Sequence, residues 1–170
     1  MRRLLLILAA VTLGAALAGC GFKLRGAYSL PFDTIYINQP EFSPLYALLK
    51  RNIEASSATR VVTNRKEAQA SFLVTVDSPQ KVILSLDTAG NVVEYRLVRT
   101  FGFRVVDRDD HELIPNSSIN VYRDISFSNP QVLSKQSEEA LLWRDIENDL
   151  VQQILRRLAA AKPVAAAEKP

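Results

Sequence analysis

Few side chains in this sequence could perform covalent or acid–base chemistry. It contains one cysteine, Cys20, and one histidine, His111, which lies among the acids of residues 107–112. A zinc site needs more Cys or His ligands than these, and a calcium loop needs a glycine and a distal bidentate glutamate that residues 107–112 do not supply. No GxGxxG or Walker pattern offers a phosphate cradle. We therefore expect no catalytic residue, no metal and no cofactor, and an exposed hairpin tip around His111.

Cys20 closes the most specific local pattern in the chain. Arg2 and Arg3 form a positive n-region, residues 4–18 form a run of fifteen apolar or small residues, and Leu-Ala-Gly-Cys ends it. That run is shorter than the roughly twenty residues of a membrane-spanning helix and suits a secretory signal before a cleavage site. Leu-Ala-Gly-Cys resembles bacterial lipoboxes, at which the Cys sulfur is acylated and becomes part of the new N-terminus. The alternative is a plain signal peptide with a coincidental Cys, which would leave a lone reactive thiol in an exported protein.

The signal defines the predicted domain organisation. We expect a removed lipoprotein signal peptide over residues 1–19, a lipidated tether over 20–30, one domain over 31–158 and a disordered Ala/Lys/Pro tail over 159–170. Cleavage before Cys20 leaves 151 residues, enough for a domain with a sizeable core. Without the two n-region arginines, 19 basic residues face 18 acidic ones, so bulk charge gives no reason to expect a nucleic-acid partner.

Periodicity predicts a strand, a helix, three strands and a second helix. β-Branched and aromatic residues predict a short strand over 34–37. Ser43-Pro44 marks the start of a helix of about three turns, and residues 60–62 form at most a minor extended segment. From Ala70 the apolar period becomes two. The residues predicted to face the core are Phe72, Val74, Val76, Val82, Leu84 and Leu86 on the first long strand, Val93, Tyr95, Leu97, Phe101, Phe103 and Val105 on the second, and Ile119, Val121, Ile125 and Phe127 on the third.

A long amphipathic helix ends the pattern, running from about Ser134 or Ser137 to Ala160. Leu141 and Leu155 fall outside its apolar arc and are available to a partner. Together the elements predict an α+β fold, a two-layer sandwich in which two helices pack on one face of a four-stranded, mostly antiparallel sheet.

Three cations interrupt these patterns. Arg99 and Arg123 fall on the apolar faces of the second and third long strands, where a guanidinium must be paired, reach the end of the sheet or contact an anion. Lys135 lies in or just before the first turn of the long helix, where a cation opposes the helix dipole. It is either an exposed lysine tolerated by solvent or part of an anion site with the free N–H groups of the helix.

Three segments together resemble the LptE family of lipopolysaccharide-assembly lipoproteins of the Gram-negative outer membrane. They are residues 20–26 directly after the lipobox, Val121-Tyr122-Arg123, and residues 129–135, Asn-Pro-Gln-Val-Leu-Ser-Lys, which enter the last helix. The resemblance extends over the mature chain to about Leu158, in the same element order. Gly21 after the cysteine, by resemblance to bacterial lipoproteins, favours the outer membrane, with the protein on the periplasmic or barrel-lumen side.

The resemblance implies a non-enzymatic role. Family members plug a large outer-membrane β-barrel, LptD, at one to one, help it assemble, and bind lipopolysaccharide. Their lipopolysaccharide contacts include a lysine after the Asn-Pro-Gln stretch, which carries over onto Lys135, and a basic residue in the first long hairpin loop. The loop here, residues 87–91, has no basic residue, and Arg96 or Lys81 on the flanking strands could replace it. The candidate lipopolysaccharide-binding residues are Lys135, Arg123, Arg99 and Arg96, with Cys20 as the lipidation site.

Two other function classes stay open from the residues. One is a free-standing periplasmic lipoprotein that carries lipid for another envelope system in the groove between the helices and the sheet, without a barrel. The other is an enzyme, for which turnover of an envelope substrate would have to depend on His111.

Overall fold

The computed structural model describes residues 28–127 and 132–162, with only the helical backbone described for residues 132–134. Its elements alternate in the predicted order, apart from an added strand and a short 3₁₀ turn at Arg65–Glu67. The elements are β1 (Thr34–Asn38), α1 (Pro44–Ser56), β2 (Arg60–Val62), β3 (Ala70–Leu86), β4 (Val92–Val106), β5 (Glu112–Ser126) and α2 (Val132–Ala159).

The strands form one five-stranded mixed sheet in the order β2-β1-β3-β4-β5. β1 pairs in parallel with both β2 and β3, whereas β3, β4 and β5 form an antiparallel meander. The α+β class, the two helices and the meander are confirmed, but the expected four-stranded, mostly antiparallel sheet is wrong in strand number and in the direction of two pairings. The reason is local: β2 has three residues, too few to display a period of two, and the crossover through α1 sets it parallel to β1.

Helix α1 forms where the cap residues predict it. The Ser43 side chain accepts a hydrogen bond from the backbone N–H of Tyr46 at 3.1 Å, and Pro44 occupies the first turn. The helix buries Leu45, Tyr46, Leu49 and Ile53 in one core with α2 and the sheet.

The core of α2 follows the predicted arc, with one exception. Ile146, Leu150 and Ile154 are fully buried, and Leu141 is 58% exposed. Leu155 was expected to lie outside the arc but is 1% exposed, because α1 packs beside α2 and widens the buried face of α2. Among the helices that the structure describes, none combines the length and apolarity needed to cross a membrane.

A β-bulge divides β3 into two halves with opposite side-chain directions. Val74 lies opposite Phe103, but Val76 already lies opposite Gly102, so Thr75 is the extra residue. A Cβ on Gly102 would lie 2.7 Å from the Thr75 Oγ1 and 3.2 Å from the Val76 Cβ, and glycine is what leaves room for the bulge.

The bulge reverses the face assigned to the second half of β3. Directly opposed residues of an antiparallel pair share a face, and Lys81 opposes the buried Leu97. Lys81 therefore faces the helices, whereas Val82, opposite Arg96, faces away from them. The prediction that Val76, Val82 and Leu84 continue the core face of Phe72 is wrong, because one inserted residue shifts a period of two by one step.

Beyond the bulge, the outer edge of β3 has no strand beside it. β1 pairs with β3 only at Ala70–Leu73, so within the described residues no strand pairs with the outer edge of β3 from Val74 to Leu86. The apolar residues exposed there are Val76, Val82, Ile83, Leu84 and Leu86.

Candidate functional site

Two lysines distant in sequence lie beside one aromatic ring, that of Phe127, which precedes α2 in the chain. The Lys81 Nζ lies 4.4 Å from the ring centroid of Tyr95 and 5.4 Å from that of Phe127. The Lys135 Nζ lies 6.0 Å from the same Phe127 centroid. We call these four residues, with Glu138 and Glu139, the two-lysine cluster. Its cations lie beside aromatic faces that attract them electrostatically.

Each member of the cluster is positioned by a different element. Lys81 belongs to the cluster because the bulge in β3 turns its side chain toward the helices. Lys135 belongs to it because it lies in the first turns of α2. Phe127 directly follows β5 and donates its backbone N–H to the carbonyl of Val93 at 2.8 Å. The Phe127 ring meets Tyr95 edge-on, at 5.2 Å between centroids and 78° between planes. The two rings thus form a floor fixed by the sheet, with one lysine from β3 and one from α2.

Each ammonium group of the cluster also has a carboxylate partner. Lys81 donates to Glu139 at 2.6 Å, and Lys135 donates to Glu138 at 2.8 Å. The Lys81 and Lys135 side chains are 35% and 20% exposed. Both pairs are therefore partly open to solvent, and an anion that arrives there meets each ammonium group beside a carboxylate.

The hairpin loop beside the cluster carries an acid and no cation. The Asp87 carboxylate accepts the backbone N–H groups of Ala89 and Asn91, at 2.9 and 2.8 Å, and the Asn91 side chain. Hydrogen bonds from Asn91 keep the pKa of Asp87 below its usual value. Gly90, at φ +86°, supplies the left-handed backbone that closes the turn.

Arg99 is a buried cross-brace between β3, β4 and α2. Its guanidinium donates to both oxygens of Asp77 at 2.8 Å and to Glu147 at 2.9 Å. Burial lowers the pKa of Arg99, but hydrogen bonds and charges from Asp77 and Glu147 outweigh it and raise the pKa above its usual value. Of the alternatives for this residue, the structure shows the paired guanidinium.

Arg123 and Arg96 lie on opposite faces of the sheet. Arg123 faces the helices, donating to Asp149 of α2 at 3.3 Å and to the carbonyl of Tyr122 at 2.8 Å. Arg96 faces away from them and forms a two-pronged pair with Asp124 at 2.7 and 2.8 Å. That pairing, chiefly its hydrogen bonds, raises the pKa of Arg96 and lowers that of Asp124. The sheet therefore separates Arg96 from Arg99 and Arg123, which both face the helices and pair with acids of α2.

His111 lies in the β4–β5 turn with 77% of its side chain exposed. The Asp107 Oδ1 accepts the backbone N–H groups of Asp109 and His111, and its Oδ2 lies 3.1 Å from the His111 Nδ1. Burial raises the pKa of Asp107, but these hydrogen bonds outweigh it and lower the pKa below its usual value. Asp107, Asp109 and His111 could offer metal-ligand atoms within 4.8 Å of one another. Both Asp107 oxygens, however, already hold the turn closed.

Of the predicted cations, only Lys135 has a second cation beside the same ring. Its partner is Lys81, which sequence reasoning named only as a possible substitute in the loop region and left out of the candidate set. The signal that could have found it is Gly102, which marks the bulge. The lipidation site, Cys20, and the Asn-Pro-Gln stretch at residues 129–131 lie outside the described residues.

Solved structures place this fold among bacterial lipoproteins. The solution structure of an uncharacterized lipoprotein B from Nitrosomonas europaea is 35% identical, with a TM-score of 0.71 over 82% of this chain and 91% of that chain. The crystal structure of the rare lipoprotein B from Shewanella oneidensis shares the fold, with 22% identity and a TM-score of 0.64 over 75% of this chain and 94% of that chain. The class is thus an envelope lipoprotein with a sheet-and-helix domain.

The family follows from sequence relatives. The family model LptE, described as lipopolysaccharide-assembly, matches residues 32–158. The LPS-assembly lipoprotein LptE of Pectobacterium atrosepticum is 27% identical over 145 residues, which are 83% of this chain and 77% of that protein. Its counterpart in Yersinia enterocolitica is 26% identical, with 83% and 69% covered. The chain belongs to the LptE family, as the sequence resemblance predicted, and its role lies in lipopolysaccharide assembly.

Proposed function

We propose that this chain is the lipid-anchored, non-catalytic partner of an LptD-type β-barrel in the outer membrane. It occupies the barrel at one to one, assists barrel assembly, and binds lipopolysaccharide on its way to the outer leaflet. The observation that carries this proposal is the family match across residues 32–158, nearly the whole predicted domain. The acyl chains on Cys20 supply the anchor, since a multiply acylated terminus holds a protein stably at a membrane.

The two-lysine cluster supports the lipopolysaccharide part of the proposal. Lipid A combines phosphates with acyl chains, and a protein that binds it needs cations next to apolar surface. Lys135 supplies such a cation beside Phe127. Arg99, with its donors committed to Asp77 and Glu147, acts in the fold rather than in this contact.

Polar side chains on the outer face of the sheet support the proposed contact with a barrel. Barrel lumens are polar, and the side of the meander away from the helices carries Asn120, Tyr122 and the Arg96–Asp124 pair, all reachable from solvent. A domain with one buried face and polar groups of this kind on the other suits a plug.

A mild-detergent pull-down of the tagged chain from native outer membranes tests the barrel partner. We expect a large β-barrel protein in one-to-one amount. Recovery of the lipoprotein alone would contradict the plug and favour the free-standing lipid carrier. A Cys20→Ala variant is the control for anchoring: it should lose labelling by radioactive palmitate and leave the membrane fraction.

Direct binding of purified lipopolysaccharide tests the second part. A Lys135→Glu variant reverses one charge at the cluster and should bind more weakly than wild type. Wild-type binding by this variant would remove Lys135 from the site.

A further inference from the structure

An exposed apolar side chain lies next to the two-lysine cluster on the same face of the sheet. Ile83 follows Lys81 by two residues, opposes Tyr95 across the hairpin and is 54% exposed. The bulge at Thr75 is what places Lys81 and Ile83 on the helix side together. At this position, therefore, two ammonium groups lie around the Phe127 ring, with the Tyr95 ring and one open aliphatic side chain beside Lys81.

This arrangement matches an anionic amphiphile rather than a free anion. A phosphate can take hydrogen bonds from two ammonium groups, and an acyl chain beside it would cover the exposed aliphatic surface. We infer that Lys81 is the second cation that contacts the lipopolysaccharide phosphates, together with Lys135, and that Ile83 contacts an acyl chain of the same molecule. This inference rests on the lipopolysaccharide binding proposed above and adds two residues and a binding mode to it.

Glu139 gives the inference a sharp consequence. Its carboxylate holds Lys81 at 2.6 Å and so competes with any incoming phosphate. If Lys81 contacts the ligand, removal of the Glu139 charge frees the ammonium group and tightens binding. If Lys81 only fastens β3 to α2 through Glu139, removal of either partner loosens the same contact and weakens binding. The two roles of Lys81 therefore predict opposite signs for one conservative substitution.

The experiment measures equilibrium binding of purified lipopolysaccharide to the full detergent-solubilised chain. We expect Lys81→Gln to weaken binding roughly three- to tenfold, the range for one charge-assisted contact, and Glu139→Gln to tighten it. Lys66→Gln makes the same charge change at an exposed position before the start of β3 and should bind as wild type. Ile83→Ala should weaken binding of intact lipopolysaccharide but not of its deacylated form.

Each other result overturns a stated part. Equal binding by Lys81→Gln and Lys66→Gln removes Lys81 from the contact. If the wild-type chain still binds lipopolysaccharide in that case, the proposed function stands. Weaker binding by both Lys81→Gln and Glu139→Gln makes their pair a structural clamp. Wild-type binding of intact lipopolysaccharide by Ile83→Ala, or equal weakening of the intact and deacylated forms, removes the acyl contact at Ile83. A wild-type chain that binds no lipopolysaccharide overturns the proposed binding itself, and the inference with it.

Discussion

At its base, the β3–β4 hairpin packs three phenylalanines into one core with both helices, whereas at its tip the same two strands carry exposed aliphatic side chains. Phe72 stacks on Phe103 at 4.8 Å between centroids, and both are essentially inaccessible. Toward the tip, Ile83 and Leu86 are 54% and 56% exposed. The base therefore has the packing of a protein interior, and the tip has the composition of a surface that meets something else.

The change between the two regions comes from one inserted residue and one short strand. The bulge at Thr75 turns Asp77 and Lys81 toward the helices. There Asp77 pairs with Arg99, and Lys81 pairs with Glu139. β1 stops pairing at Leu73, so within the described residues no strand pairs with the edge of β3 beyond it. Buried rings and exposed aliphatic side chains thus lie toward opposite ends of one hairpin, and substitutions at the two ends should differ in their effect on stability.

The largest effect is expected at the base. Phe103→Ala should lower the free energy of unfolding by about 3–5 kcal/mol, because it removes a fully buried ring from a packed core. The measurement is urea denaturation followed by circular dichroism. A loss below about 1 kcal/mol would mean that this core is not packed as described.

The Arg99 brace, which ties the half of the hairpin beyond the bulge to α2, should have the next largest effect. Arg99→Met leaves the Asp77 and Glu147 carboxylates facing each other without their cation. We expect a loss of about 1–3 kcal/mol, below the value for a deeply buried pair because both carboxylates are partly exposed. Arg96→Met, on the outer face, is the matched control and should leave the melting temperature close to that of wild type.

The bulge itself can be tested at Gly102. Gly102→Ala places a methyl group 2.7 Å from the Thr75 Oγ1 and should cost about 1–2 kcal/mol through overpacking. A second substitution, Thr75→Ala, removes that oxygen and should recover part of the loss in a thermal melt. Full stability of Gly102→Ala would show that the strand can close the bulge without cost.

Acid should weaken the β4–β5 turn through Asp107. The pKa of Asp107 is lower in the folded chain than in the unfolded chain, where it is near 3.8. The ionised carboxylate therefore stabilises the fold fully at pH values above 3.8. That contribution is lost as the pH falls through the lower folded value. Asp107→Asn should therefore be less stable than wild type at pH 6, with the gap closing as the pH falls below 3.8, in melts across that range. A gap independent of pH would exclude ionisation as the cause.

The smallest effect on stability is expected at the tip. Ile83→Ala should change the free energy of unfolding by less than about 0.5 kcal/mol, because the side chain is already half in water. Urea denaturation beside Phe103→Ala gives the direct comparison between the two regions. A loss similar to that of Phe103→Ala would place Ile83 in the core.

Local patterns in the sequence predict the elements better than their pairing. The cap at Ser43 and the alternation from Phe101 to Val105 are complete within short windows, and both are found as expected. The parallel pairing of β1 with β2 could not be predicted, because β2 has only three residues and cannot be recognised from its own sequence. The bulge at Thr75 is hidden because the apolar alternation resumes beyond it.

Residues of the candidate site could be predicted from the sequence only where a single helix or strand determines their position. Lys135 is placed by the first turn of α2, and the start of that helix near Lys135 is visible in the sequence. The partners of Arg99 come from β3 and α2, and no local pattern connects those elements. Lys81 needed both the bulge and the position of Phe127 before it could be assigned to the same site.

Photo-crosslinking in living cells tests the division of the hairpin most directly. A photoreactive amino acid is placed at Ile83, near the tip, and in a second strain at Lys66, before the start of β3. After irradiation, adducts are detected with antibody against lipopolysaccharide. We predict a lipopolysaccharide adduct at residue 83 and none at residue 66. No adduct at residue 83, or equal adducts at both positions, would contradict the claim that the tip is the region that contacts the ligand.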